Sequence, residues 1–141
     1  MESLDLLFIH VPKFSSFYKP FGPYMTVNLI PMGTLALADL IHQAGYRTEV
    51  LHLGLEWIDK GIFSPLPYLE EREVKMVVIP LHFHPQSYDV MKTASEIKEK
   101  QKHTIILSGG YTASLFHQEI LSHFPQIDAI IRGDGEVPLI Q

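Results

Sequence analysis

The sequence predicts an α/β domain, a doubly wound, three-layer sheet of about five parallel strands. Short apolar runs of strand length alternate along the chain with amphipathic segments of helical period. Several of those runs are apolar almost throughout, as strands covered on both faces must be. Glycines then gather just past the last two runs, at Gly109, Gly110, Gly133 and Gly135.

The first strand is read at Leu4 to Val11 (LDLLFIHV). From Val11 to Met32 runs a connection of about twenty residues, where about 4–6 is usual, so it is expected to cover something. It carries Pro12, Pro20, Pro23 and Pro31 among Phe14, Phe17, Tyr18, Phe21 and Tyr24. MGTLALADLIHQAGY follows as a helix with Leu37, Leu40, Ile41 and Ala44 on its inner face, stopped by Gly45. Arg47 to Leu53 is the second strand. LEWIDKGIF and PYLEERE, interrupted by Gly61, Pro65 and Pro67, read as a turn or two of helix each.

Lys75 to Leu81 is the third strand. In SYDVMKTASEIKEKQK, Val90, Ala94 and Ile97 share one helical face, with Asp89 in the first turn and Lys98, Lys100 and Lys102 near the end, as the helix dipole favours. His103 to Ser108 is the fourth strand. SLFHQEILSHF then places Phe116, Ile120 and Phe124 on one helical face until Pro125 ends it. After the fifth strand, Asp128 to Gly133, EVPLIQ begins a further segment. Residues 1–141 are therefore read as one domain and as the N-terminal fragment of a longer protein.

Composition narrows the partners. With 46% hydrophobic and 19% charged residues, a chain of 141 residues can bury a core of its own. A net charge of −5, with the acids spread along the chain, offers no basic stripe to a nucleic acid. The absence of cysteine removes disulfides, thiol catalysis and thiolate-held clusters from this segment. No apolar run is long enough to span a bilayer, and MESLDLLFIH lacks the basic start of a secretory signal, so no membrane partner and a cytoplasmic location are expected.

Ligands of open parallel sheets bind at the carboxyl ends of the strands, which selects the loops after Val11, after Leu53, HFHPQS, SGGYTAS and RGDGE. Gly109 and Gly110 fit either close backbone approach by a large flat ligand or a tight turn that needs positive φ. GGYTAS lacks the G-x-G-x-x-G spacing, and no P-loop lysine occurs. In Gly133-Asp134-Gly135-Glu136, two carboxylates without a histidine or third acid make a poor divalent site, so a turn into a helix N-terminus is favoured. His82 and His84 could face a ligand or a transition metal, or stand as partly exposed loop residues; His10 is a third candidate. His52 reads as a strand residue, and His42, His103, His117 and His123 as solvated ones. Ser108 lacks a G-x-S-x-G elbow, and Ile79-Pro80-Leu81 leaves no phosphoacceptor aspartate at the end of the third strand.

Three motifs in order carry a resemblance that covers nearly the whole chain: Pro31-Met32-Gly33 entering the first helix, Gly109-Gly110-Tyr111-Thr112 after the fourth strand, and Gly133-Asp134-Gly135-Glu136 after the fifth. The sequence resembles the cobalamin-binding domain found at the N-terminus of many radical S-adenosylmethionine (SAM) enzymes. That resemblance implies a Rossmann-like (flavodoxin-like) sheet holding cobalamin by its corrin edge and its buried nucleotide tail. Gly109, Gly110 and Thr112 would line the tail with Gly133 and Gly135 beside them, and the loop His82 to Ser87 would approach from the third strand. Ser108, Tyr111 and Glu136 complete the implied cofactor-binding set. HVPKFSSF stands where methionine-synthase-like domains carry D-x-H-x-x-G, which leaves His82 and His84 as optional cobalt ligands only. The implied [4Fe-4S] cluster and SAM belong to a downstream barrel in cis, bearing CxxxCxxC, of a methyltransferase or cyclase. The competing expectation is a degenerate Rossmann-like docking module that shapes a substrate entrance or partner interface without cobalamin.

Overall fold

The computed structural model describes residues 2–14 and 30–141. Most of the long aromatic connection, including Phe17, Tyr18, Phe21 and Tyr24, lies outside the described residues.

The described residues form a sheet of five parallel strands: β1 (Glu2–His10), β2 (Thr48–His52), β3 (Arg72–Pro80), β4 (Ile105–Gly109) and β5 (Ala129–Ile131), in the order β2-β1-β3-β4-β5. The chain steps outward from β1 to β2 and then returns to the other side of β1, so the strand order reverses between β1 and β3. That is where open α/β sheets leave a crevice at their carboxyl ends.

Alternation along the strands builds two cores. Leu7, Ile9, Val77, Ile79 and Ile106 are fully buried on one face, beneath α4 (Ser87–Lys100) and α6 (His117–His123). Leu6, Phe8 and Val78 point to the other face, against α1 (Met32–Gln43) and α7 (Glu136–Ile140). Successive side chains of one strand thus feed opposite layers, which is why the runs look apolar throughout. Burial of each such side chain contributes about 1.5–3 kcal/mol.

Val90, Ala94 and Ile97 are fully buried, as their spacing predicts. The inner face of α1 is Thr34, Ala38 and Ile41, with Leu37 half-buried, and Ala44 is exposed. Ala44 is the C-cap, one residue beyond the helix, and Gly45 follows with φ of +96°. The two short segments between β2 and β3 both form helices, α2 (Leu53–Lys60) and α3 (Leu66–Glu70). α2 starts without a linker because the His52 imidazole caps it, its Nδ1 accepting the Leu55 N–H at 3.2 Å.

The segment after β4 differs most from the sequence expectation. Its helix starts at Tyr111 and breaks at Phe116, where φ is −105° and ψ is 26°, giving α5 (Tyr111–Leu115) before α6. Ala113 of α5 and Ile120 of α6 still reach the same core. Ile120 stays in the core, whereas Phe116 and Phe124, expected beside it, are 46% and 36% exposed. No helix among the described residues is long and apolar enough to cross a membrane.

Candidate functional site

Over β4 and β5 the carboxyl edge of the sheet is nearly bare of side chains. Gly109 and Gly110 leave β4, Gly133 and Gly135 follow β5, and Gly33 opens the first turn of α1; the five together line a cavity of about 190 Å³. Leu37, Val78 and Leu139 give it apolar walls, and His82, Asp134 and Glu136 are its ionisable side chains. A Cβ at Gly33 or Gly133 would meet nothing within 4 Å, so backbone alone faces open space there.

The adjacent glycines serve different ends. Gly110 has φ of +101°, and a Cβ on it would come within 2.9 Å of His82 Nδ1 and 3.0 Å of the Leu81 carbonyl oxygen. Its backbone and its neighbours both demand glycine. Gly109 lets the β5 backbone come close, with the Ile131 carbonyl 3.4 Å from where a Cβ would be. The loops leaving β3 and β4 are sewn together here: the Leu81 N–H donates to Gly109 O at 2.7 Å, and Thr112 Oγ1 donates to His82 O at 2.7 Å.

Residues 25–141 match the family model described as the B12 binding domain. The chain belongs to that family. No curated protein matches it. For a B12-binding domain the residues present fit the cofactor the family implies, because the cavity combines bare backbone at Gly33 and Gly133 with the apolar side chains of Leu37, Val78 and Leu139.

The other half of this B12-binding domain's edge carries imidazoles. His52 ends β2, its register partner His10 ends β1, and His82 follows β3. The His10 and His52 rings lie 4.5 Å apart between centroids, tilted by 55°. His10 is buried, and its Nε2 has no hydrogen-bond partner among the described residues. Burial, with smaller contributions from His52 and His82, pushes its pKa down to about 4, so the ring is neutral at pH 7. A second cavity, of about 210 Å³, is lined by His10, Pro31, Met32, Phe83 and Gln86 and shares Gly33, Thr34, Pro80 and His82 with the first. The two cavities therefore adjoin at His82. Buried Gln86 fixes this region by donating from Nε2 to Val11 O at 3.0 Å and accepting the Phe83 N–H on Oε1 at 3.1 Å.

Of the residues singled out by sequence, the glycine-lined cavity brings together His82, Gly109, Gly110, Gly133, Gly135 and Glu136. Ser108 is fully buried and donates to Ile79 O at 2.8 Å. Tyr111 is 71% exposed and lines none of these walls, and Thr112 holds the His82 carbonyl from outside. Ser87 and His84 lie along a different cleft from the glycine-lined cavity that His82 lines. Among the described residues no three metal-ligating side chains group together. Gly33, Thr34 and Leu37 enter the site from α1, which sequence reasoning treated as a helix entry and core face; the Pro31-x-Gly33 motif was the available signal.

Proposed function

We propose that the domain holds cobalamin across the carboxyl edge of its sheet, with the nucleotide tail in the glycine-lined cavity, as the cofactor module of a radical SAM enzyme. The observation that carries the reading is the five-glycine cavity at β4, β5 and α1 in a chain of the B12-binding family. Gly33 and Gly133 give the tail bare backbone, Leu37 and Leu139 give it apolar walls, and His82 stands where the tail cavity meets the one beside His10. Bound cobalamin supplies a cobalt that can carry and pass on an alkyl group. The chain's own residues bind and orient, and none is assigned a proton-transfer or nucleophilic role.

The radical SAM parent, a methyltransferase or cyclase, is supported by the succession of Pro31-Met32-Gly33, Gly109-Gly110-Tyr111-Thr112 and Gly133-Asp134-Gly135-Glu136. Its [4Fe-4S] cluster and SAM would sit in a downstream barrel in cis, since this chain has no cysteine to hold a cluster. The module works in the cytoplasm on this reading.

Equimolar mixing with hydroxocobalamin, followed by desalting, tests the central claim. The protein fraction should keep the visible corrin spectrum. A colourless fraction would overturn the reading and leave a Rossmann-like docking module without cofactor. A CxxxCxxC sequence downstream of residue 141 in the parent gene is the expected sign of the barrel.

A further inference from the structure

His10 is more than nine-tenths buried, and its Nε2 has no hydrogen-bond partner among the described residues. A buried polar atom in that state has lost its water and gained nothing in return, which marks places where a ligand completes the bonding. Gln86 beside it uses its amide for Val11 O and the Phe83 N–H, and His52 gives its Nδ1 to the Leu55 N–H. The cavity of about 210 Å³ that His10 lines is also lined by Thr34, which is 4% exposed and whose hydroxyl no described residue takes up. An imidazole and a hydroxyl, both buried, thus border the same space.

Size and charge select what can enter it. The cavity is smaller than the roughly 300–1,000 Å³ of sites that enclose a whole small molecule, so it admits a side arm and not a ring system. Among the described residues its lining holds no carboxylate, lysine or arginine. An ion would be desolvated there with only the His82 imidazole to face it, whereas a neutral group with both a donor and an acceptor can bond the imidazole and the hydroxyl together. Thr34, Pro80 and His82 are shared with the glycine-lined cavity, so a ligand lying over that cavity can reach this one.

We infer that His10 and Thr34 form a subsite for one neutral carboxamide arm at the rim of the corrin ring. The subsite rests on the cobalamin reading above. It places the His10 imidazole against the cofactor's edge and away from cobalt, because a cavity of this volume leaves the ring, and the metal at its centre, outside.

The test titrates the full ¹⁵N-labelled chain with dicyanocobalamin, in which cyanide caps both faces of cobalt and the nucleotide tail is free to enter the glycine-lined cavity. The ring-nitrogen resonances of His10 should shift on saturation, while those of exposed His103, at the opposite edge of the sheet, stay in place. His10→Leu should weaken binding about five- to ten-fold and Thr34→Val about three-fold, with native circular dichroism in both. His10→Gln, which keeps a donor and an acceptor, should stay within about two-fold of the native Kd. Retained corrin with unmoved His10 resonances, or an unchanged Kd in both His10→Leu and Thr34→Val, overturns the subsite while cobalamin remains bound. A His10 shift seen with hydroxocobalamin but lost with dicyanocobalamin also overturns it, because the imidazole then belongs to cobalt. A native chain that retains no corrin of either kind overturns cobalamin binding itself, and the subsite with it.

Discussion

The imidazoles of His10 and His52 stand 4.5 Å apart on residues paired in register at the carboxyl ends of β1 and β2. Only His10 is buried, and its pKa falls from 6.5 to about 4. The unfolded chain then binds a proton that the native chain refuses, so stability rises with pH across that window and is lost on acidification. The loss from pH 7 to pH 4 should be about 2 kcal/mol once screening at the solvent rim is allowed for. Urea unfolding across this range should show that excess slope in the native chain and lack it in His10→Phe; equal slopes would remove His10 as the cause.

The two kinds of glycine separate binding from folding. Gly110→Ala forces a side chain onto a backbone at φ of +101° and against the Leu81 carbonyl, and should cost about 1–3 kcal/mol while displacing His82. Gly33→Ala adds a Cβ in open space within α1 and should stabilise by about 0.5–1 kcal/mol. Gly33→Leu should keep the melting temperature near native and lose cobalamin through desalting. If Gly33→Leu retains the corrin spectrum in full, the tail does not lie in this cavity.

Gln86 ties the exits of β1 and β3 through two hydrogen bonds on one buried amide. Gln86→Leu keeps the volume and strands the buried Val11 carbonyl, which should cost about 2–3 kcal/mol. Hydrogen exchange at Phe83, whose N–H loses its acceptor, should accelerate with it, and a protected Phe83 amide in the variant would show that the bridge is dispensable.

What could be read from sequence follows from the range of the forces involved. The strands and the α4 face were legible because Leu7, Ile79, Val90 and Ile97 sit in periods that burial alone dictates. Strand starts were less so: β3 begins at Arg72, three residues before the apolar run, because Glu73 and Lys75 point outward while the backbone already pairs with β1. Phe116 and Phe124 carry the right period for a core face, but they stand at the N-cap and C-cap of α6 instead of within it, and both are exposed. At the edge, the glycines of β4 and β5 were legible by composition. Gly33 and Leu37 reach the same cavity from a helix about a hundred residues earlier in the chain, a proximity that topology creates and local sequence does not encode.

Phe14 fixes the start of the long connection, and the chain's single tryptophan reports on it. Its N–H donates to Asp89 Oδ2 at 2.9 Å, its ring stacks on Phe63 at 4.2 Å, and it meets Trp57 edge-on at 5.2 Å. Asp89 is buried in the first turn of α4, so its carboxylate joins the β1 exit to the helix that leaves β3. Phe14→Ala deletes the contacts with Phe63 and Trp57 and should cost about 2–3 kcal/mol, with Trp57 emission moving to the red as water reaches the indole. Asp89→Ala removes the acceptor of the Phe14 N–H and should give a smaller red shift than Phe14→Ala, because the stacked rings still hold Phe14. An unshifted Trp57 spectrum in Phe14→Ala would mean that the aromatic cluster does not anchor the connection.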